Sequence, residues 1–257
     1  MWTFELTELP VTEFGLAFGL VLLGSSLQVA TGVGLGLIAG PSLLLFLDSA
    51  AAIQTAIILN LVLTACLLPT ELRDVAGRPL AHMCLWACIG IPVGTVLLLM
   101  ADSTSLKIAS GLVVLLAVVQ LRFFPAPQAV GPGSHSWVVR VGGTVSGGMT
   151  GALAVPGPIA LWTLLSSGLN PAAVRATLRA YFFIAYTVAL LIHLLMTQRG
   201  EGSFSLSLVL LPAVAIGIGL GQAGRNAIGS DRLRLLLEVV LVIMGISLLS
   251  RGLLDAV

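Results

Sequence analysis

Two arginines, Arg175 and Arg179, have the residue type and the spacing that best suit binding of a small oxyanion. Residues four apart share one face of a helix, and the planar guanidinium fork matches a pair of oxyanion oxygens. The other interpretation is that both arginines lie at a helix end and bind lipid headgroups, as long basic side chains do at a membrane surface. The sequence leaves both interpretations open.

Polar side chains recur at matching positions when the chain is shifted by 121 residues. Gln54 then aligns with Arg175, and Asn60 aligns with Tyr181. Pairs of this kind predict side chains that line one cavity from two sides. For each residue taken alone, a hydrogen bond between neighbouring helices is the plainer interpretation.

Glycines and threonines form a further candidate set, in which the backbone would contact the ligand. Its members are Thr31, Gly32, Gly34 and Gly36 early in the chain, and Thr150, Gly151 and Gly157 later. Helix packing is the competing interpretation, because glycines four residues apart let helices approach closely; the two runs are Gly32, Gly36, Gly40 and Gly143, Gly147, Gly151. Packing explains the spacing, but it does not explain why both runs end beside a predicted helix break.

His193 lies inside a long apolar segment, where it is a candidate for proton coupling. A hydrogen bond to another helix is the more ordinary role for such a histidine. With three histidines in all, no His-Glu-x-x-His motif and no paired carboxylates, the sequence predicts no enzyme, no metal site and no cofactor. Three cysteines, Cys66, Cys84 and Cys88, are predicted to be free, buried thiols.

Composition places these residues in a membrane. Of the 257 residues, 58% are hydrophobic and 9% are charged, whereas soluble domains carry roughly 25% charged residues. So little charge cannot cover a water-facing surface, and most of the surface must therefore face lipid. The net charge of +1 gives no indication of a nucleic-acid partner.

Ten apolar segments follow one another along the chain. They are 14–30, 32–47, 50–68, 80–100, 105–121, 137–154, 158–169, 172–196, 204–223 and 233–254. A helix that spans a membrane needs roughly 17–25 apolar residues. The second and seventh segments are short. Each lies beside a stretch that should break a helix, Thr31 through Gly36 for the second segment and Val155 through Pro158 for the seventh.

The two predicted breaks occupy matching positions in a duplicated chain. At the shift of 121 residues, positions 36–52 and 157–173 share seven identities over 17 aligned positions, beginning with Gly36 on Gly157. The sequence therefore predicts a first transmembrane repeat over 1–121, a cytoplasmic linker over 122–136 and a second transmembrane repeat over 137–257.

The distribution of basic residues favours an odd number of crossings in each repeat. The two segments that flank each break are then separate, either as two crossings or as a re-entrant hairpin, and nine of the 12 basic residues fall on one side. Those nine are Arg73, Arg78, Arg122, Arg140, Arg175, Arg179, Arg225, Arg232 and Arg234; the other three are Lys107, Arg199 and Arg251. Because positive residues favour the cytoplasm, both termini are predicted outside and the repeats are predicted to be inverted. The predicted fold is an all-α integral membrane protein with two inverted repeats, each a Gly/Pro-broken helical hairpin followed by three transmembrane helices, as in secondary transporters.

The Gly-rich opening of each half resembles that of the sulfite exporter TauE/SafE family of sulfite and organosulfonate permeases. The resemblance rests on Gly24 through Thr31-Gly32-Val33-Gly34-Leu35-Gly36 and Pro41, on Gly142-Gly143 through Gly151 and Pro156-Gly157-Pro158, and on the run Asn-Pro-Ala-Ala-Val-Arg-Ala-Thr at 170–177. It covers nearly the whole chain. The family's second opening usually reads Gly-Gly-Pro, so Pro156 departs from the pattern.

The resemblance implies an exporter of sulfite, organosulfonates or related anions, driven by an ion gradient. We expect alternating access at a site between the repeats, in a multi-pass protein of the cell inner (plasma) membrane. An anion channel or a non-transporting membrane scaffold is the alternative. The expected partners are the anion and membrane lipid, and a homodimer is left open as an assembly.

Overall fold

The computed structural model describes residues 10–123, 135–196, 200–227 and 230–256, and in these ranges it contains α-helices and no strand. The ten helices are α1 Val11–Thr31, α2 Leu35–Leu43, α3 Ser49–Leu67, α4 Gly77–Met100, α5 Ser103–Phe123, α6 His135–Leu153, α7 Gly157–Leu165, α8 Pro171–Met196, α9 Gly200–Ala227 and α10 Ser230–Asp255. The predicted all-α class is therefore confirmed. Most of the predicted linker, and Arg199 from the charge count, lie outside the described residues.

Seven of the described helices are long and apolar enough to cross a membrane. They are α1, α3 with its 3₁₀ extension to Thr70, α4, α5, α8, α9 and α10. The helices α2 and α7 have nine residues each, which is about 14 Å at the α-helical rise, so neither can cross a hydrocarbon core of about 30 Å. The chain is a multi-pass membrane protein.

Each half begins with a helical hairpin whose second arm is short. A Cβ atom built on Gly24 of α1 would lie 3.1 Å from the Leu35 Cα, at the start of α2. In the second half, Gly142 near the start of α6 lies directly against Thr163 near the end of α7. Both α2 and α7 therefore turn back along the helix that precedes them.

Each helix has a counterpart five places away along the chain, and the two counterparts make matching contacts. The long helix α6 packs along α4, and its counterpart α1 packs along α9. The contact between α4 and α8 is matched by the contact between α9 and α3. Two helices also contact their own counterparts, namely α5 with α10 and α3 with α8. The contacts of the first five helices therefore have matches among those of the last five.

The counterpart helices that meet run in opposite directions. At the start of α5, Lys107 forms a 2.7 Å ion pair with Asp255 at the end of α10. Beyond the end of α3, Glu71 pairs with Arg179 near the start of α8. Since both pairs of helices pack side by side, each pair is antiparallel.

The peripheral helices expose large apolar side chains, as a lipid-facing surface requires. Leu116 of α5 is 65% exposed and Ile243 of α10 is 62% exposed. The three cysteines are free, as predicted. The expectation that all of them are buried is wrong, because Cys66 and Cys88 lie on the exposed faces of their helices and Cys84 is half-buried.

Between α4 and α5, Asp102 caps the start of α5. Its carboxylate accepts hydrogen bonds from the Ser105 hydroxyl at 2.6 Å and from the Ser105 backbone N–H at 2.9 Å. These bonds favour the charged form and lower the pKa of Asp102. The cap supports a sharp turn between two long helices.

Candidate functional site

The first helix break, between α1 and α2, is built from glycines that no larger residue could replace. Gly32 has a φ of +94° and its N–H bonds to the Gln28 carbonyl oxygen at 2.9 Å, so it ends α1 in the left-handed conformation. Gly34 lies so close to α1 that a Cβ atom there would come within 2.8 Å of the Gln28 nitrogen. The Thr31 hydroxyl oxygen lies 2.7 Å from the Val33 carbonyl oxygen, which fixes the turn between them.

The second break, between α6 and α7, uses different residues for the same purpose. Ala154, which is not a glycine, has a φ of +56°. Pro158 occupies the first turn of α7, where its missing N–H costs no hydrogen bond. Pro156 has ordinary helical angles, so the departure from the family's glycine at this position does not prevent the break.

The two breaks meet around one small cavity. It is lined by Gln28, Val33, Gly34, Gly36, Leu37, Gly157, Phe182 and Tyr186, which come from both hairpins and from α8. About 10 Å³ is open to the centre of a water molecule, which is room for roughly one water. The cavity is therefore nearly closed in this conformation.

Tyr186 of α8 holds the two breaks together. Its hydroxyl donates to the Ala154 carbonyl oxygen at 3.2 Å, and a Cβ atom on Gly36 would lie 2.6 Å from the same hydroxyl oxygen. Asn60 of α3 approaches from the other side, since its Oδ1 lies 3.7 Å from that Cβ position. Among the described residues this buried Oδ1 has no hydrogen-bond partner.

Two helix N-termini face this cavity. Gly36 and Leu37 belong to the first turn of α2, and Gly157 begins α7. The N–H groups in the first turn of an α-helix have no partner within the helix, and the helix dipole adds partial positive charge there. A site between two such ends favours a small anion.

The structure brings together several of the glycines that the sequence predicts as backbone ligands. Gly34, Gly36 and Gly157 line the cavity. Thr31 and Gly32 form the turn directly beside it.

Other predicted site residues lie away from the cavity. Gln54 of α3 accepts a 2.9 Å hydrogen bond from the Ser203 hydroxyl of α9. The Tyr181 hydroxyl donates to the Ser146 hydroxyl oxygen at 2.9 Å, and the Thr150 hydroxyl donates to the Ser146 carbonyl oxygen at 2.7 Å. Gln54 therefore joins α3 to α9 and Tyr181 joins α8 to α6, whereas the Thr150 bond lies within α6.

The glycine run of α6 packs against α4. Cβ atoms on Gly143, Gly147 and Gly151 would run into the backbone of α4 near Met83, Ala87 and Ile91. For this run the structure favours the packing interpretation of the spacing. The run in the first half is different, because Gly36 and Gly40 lie against the carbonyl groups of Ala154 and Leu153 at the second break.

The two candidate arginines have different surroundings. Arg175 is exposed. Arg179 is 6% exposed and forms a 2.5 Å ion pair with Glu71 in the loop between α3 and α4. Neither arginine lines the central cavity, although Phe182, one helical turn after Arg179, does.

Sequence reasoning missed the side chains that wall the cavity, namely Gln28, Val33, Leu37, Phe182 and Tyr186. Phe182 and Tyr186 are in contact with ring centroids 6.0 Å apart, and both follow Arg179 on one helical stripe at i+3 and i+7. That stripe, and a glutamine one turn before the first break, are signals that could have pointed to them.

Comparisons with known proteins agree with this arrangement. The sulfite exporter TauE/SafE family matches residues 16–248. The chain is also similar to a probable sulfite/organosulfonate exporter TauE from Cupriavidus necator, with 28% identity over 173 residues that cover 65% of this chain and 67% of that protein. No solved structure matches the chain. The family match spans most of the sequence, including both broken hairpins, and the chain therefore belongs to the sulfite exporter TauE/SafE family of membrane transporters.

Proposed function

We propose that the chain is a secondary transporter that exports sulfite, organosulfonates or similar small sulfur oxyanions by alternating access. The observation that carries the proposal is the meeting of two helix N-termini, from α2 and α7, at one buried cavity. Such ends bind anions without a fixed counter-charge. The relative from Cupriavidus necator is named as a sulfite/organosulfonate exporter, which suggests the class of anion.

Inverted repeats would supply the two states that alternating access requires. The antiparallel packing of α5 on α10 and of α3 on α8 supports inversion, because counterparts related by an axis in the membrane plane must run in opposite directions. Helix α2 would then approach the site from one side of the membrane and α7 from the other. One repeat moving against the other would open the cavity to each side in turn.

The positions of the basic residues support an inner-membrane protein with both termini outside. Arg73 lies in the loop that contacts Arg179, and Arg78 lies in the first turn of α4 after it, so both share one end of the molecule with the start of α8. Lys107 lies at the opposite end, beside the end of α10. This arrangement agrees with the predicted cytoplasmic excess of positive charge.

The small size of the cavity fits the occluded state that a transporter passes through in its cycle, with room for about one water. A closed channel would look the same at this point, so flux measurements are needed to distinguish a transporter from an anion channel.

Flux measurements test the proposal. We expect proteoliposomes with the purified protein to take up labelled sulfite with saturable kinetics, and organosulfonates to compete better than sulfate or chloride. Flux that rises linearly with concentration would support the channel alternative. If no sulfur anion crosses faster than in empty liposomes, under any imposed ion gradient, the proposed substrate class is rejected. That result would not affect the description of the fold.

His193 is the candidate for proton coupling, and its surroundings allow a direct test. Its Nε2 lies 2.9 Å from the Gly151 carbonyl oxygen, which joins α8 to the last turn of α6, just before the second break. We expect His193→Gln, which retains a hydrogen-bond donor, to keep transport but lose its dependence on a pH gradient. If the gradient dependence survives, His193 only joins helices; in that case His193→Leu should lower stability by about 1–3 kcal/mol through the unsatisfied carbonyl, measured as a lower thermal midpoint.

A further inference from the structure

The guanidinium group of Arg179 joins three elements on one side of the central cavity. Its Nη1 pairs with Glu71 Oε1 at 2.5 Å, and its Nη2 donates to the Val29 carbonyl oxygen at 3.4 Å. The side chain of Arg179 is 8% exposed and that of Glu71 is 20% exposed. The group therefore links α8, the loop after α3 and the last turn of α1.

This ion pair lies one layer away from the cavity. Phe182, one helical turn after Arg179, lines the cavity, and so does Gln28, which directly precedes Val29. The loop that carries Glu71 is fixed to α8 a second time, because the Ala76 N–H donates to the Thr177 hydroxyl oxygen at 2.9 Å. The loop is therefore held against α8, beside the parts of α1 and α8 that line the cavity.

Positive charge exceeds negative charge around Arg179. The charges that act on it are Glu71, which is the strongest, followed by Arg175 and Arg225. Both of these arginines are exposed. These groups comprise three guanidinium groups and one carboxylate, and the carboxylate pairs with Arg179. The excess of positive charge attracts anions.

The carboxylate of Glu71 is held by one oxygen only. Oε1 binds Arg179, whereas Oε2 is buried and has no hydrogen-bond partner among the described residues. A buried pair of this kind contributes little stability, because removing the charges from water offsets most of their attraction. A competing anion would therefore displace Glu71 at modest cost.

We propose that Arg179, with Arg175 and Arg225 at its mouth, forms an outer anion site, and that Glu71 occupies this site in the closed conformation. A carboxylate, a sulfite and a sulfonate all present a pair of oxygens to the guanidinium fork. The incoming anion takes the place of Glu71, the loop is released from α8, and the path to the central cavity opens. The inference rests on the proposed function, since it assigns a second site to the same transported anion.

Binding of sulfite to purified variants tests the site. We expect Glu71→Gln to bind sulfite about tenfold or more tightly than wild type, because the competing carboxylate is gone. The matched control is Asp74→Asn, which removes an exposed carboxylate from the same loop and should leave the affinity unchanged. Equal or weaker binding by Glu71→Gln overturns the proposal.

A charge swap separates a binding role from a structural one. The double variant Glu71→Arg with Arg179→Glu restores an ion pair between the loop and α8. We expect it to fold with a thermal midpoint close to wild type and yet to have lost sulfite binding, because a carboxylate now stands where the anion's guanidinium ligand was. Recovery of wild-type binding in the swap would show that the pair is only structural.

Access to the cavity is measured without any transported anion. A cysteine placed by Gln28→Cys, in a protein whose three native cysteines are replaced by serine, reports whether the cavity opens to a membrane-impermeant maleimide. We expect Glu71→Gln to raise the labelling rate about tenfold or more from the side of the loop; an unchanged rate overturns the proposal. If labelling becomes faster while no variant binds sulfite or a sulfonate, the result supports the role of Glu71 at the outer site and rejects the proposed substrate class.

Discussion

Replacing Gly36 with alanine should lower sulfite transport by about tenfold or more, which corresponds to ~1.4 kcal/mol in the barrier. The new methyl group would lie 2.6 Å from the Tyr186 hydroxyl oxygen and 3.0 Å from the Ala154 carbonyl oxygen. Overpacking of this kind costs typically about 1–3 kcal/mol, and here it acts where the two breaks meet, which is the site of the proposed movement. Transport and thermal stability would be measured on the same purified protein.

A second substitution tests the cause of this loss. Tyr186→Phe removes the hydroxyl that the Gly36→Ala methyl group would meet, so the double variant should transport faster than Gly36→Ala alone. Recovery will be partial, because the Ala154 carbonyl oxygen stays close. Gly19→Ala is the control, since nothing lies within 4 Å of a Cβ atom at that position of α1. Equal losses in Gly36→Ala and Gly19→Ala would contradict the steric explanation.

The neighbouring glycines 147 and 148 should respond to alanine in opposite ways. A Cβ atom on Gly147 would lie 2.7 Å from both the Cα and the carbonyl oxygen of Ala87, which are backbone atoms of α4 that cannot turn away. We expect Gly147→Ala to lower stability by about 1–3 kcal/mol. A Cβ atom on Gly148 would make an ordinary 3.7 Å contact with the Gly90 carbonyl oxygen, so Gly148→Ala should gain up to about 1 kcal/mol from helix propensity.

Thermal unfolding in detergent, with the remaining folded protein measured by size-exclusion chromatography after each heating step, distinguishes the two variants. The midpoint of Gly147→Ala should fall and that of Gly148→Ala should stay level or rise. A drop of equal size in both would mean that helix flexibility, rather than the close approach of α6 to α4, is the reason for glycine at these positions.

The sequence allowed the helices and their breaks to be predicted closely, because both depend on local chemistry. The segment predicted over 50–68 appears as Ser49–Leu67, and the short segments beside the breaks appear as two nine-residue helices. The second break was predicted at Val155 through Pro158. It begins one residue earlier, because Ala154 takes the left-handed conformation that a sequence normally assigns to glycine.

The walls of the cavity could not be predicted in the same way. In the sequence, Phe182 and Tyr186 look like ordinary residues of a buried helix face. The Tyr186 hydroxyl finds its hydrogen-bond partner only through the tertiary contact with the second break. The alignment placed Gln54 and Arg175 at equivalent positions, but one is buried against Ser203 and the other is exposed. The surroundings of these two residues are set by helices far away in the sequence, so a comparison of the two halves could not predict them.

Each hairpin is held mainly by a helix from the other half of the chain, α6 by α4 and α1 by α9. Neither half could therefore bury its own hairpin if it were made alone.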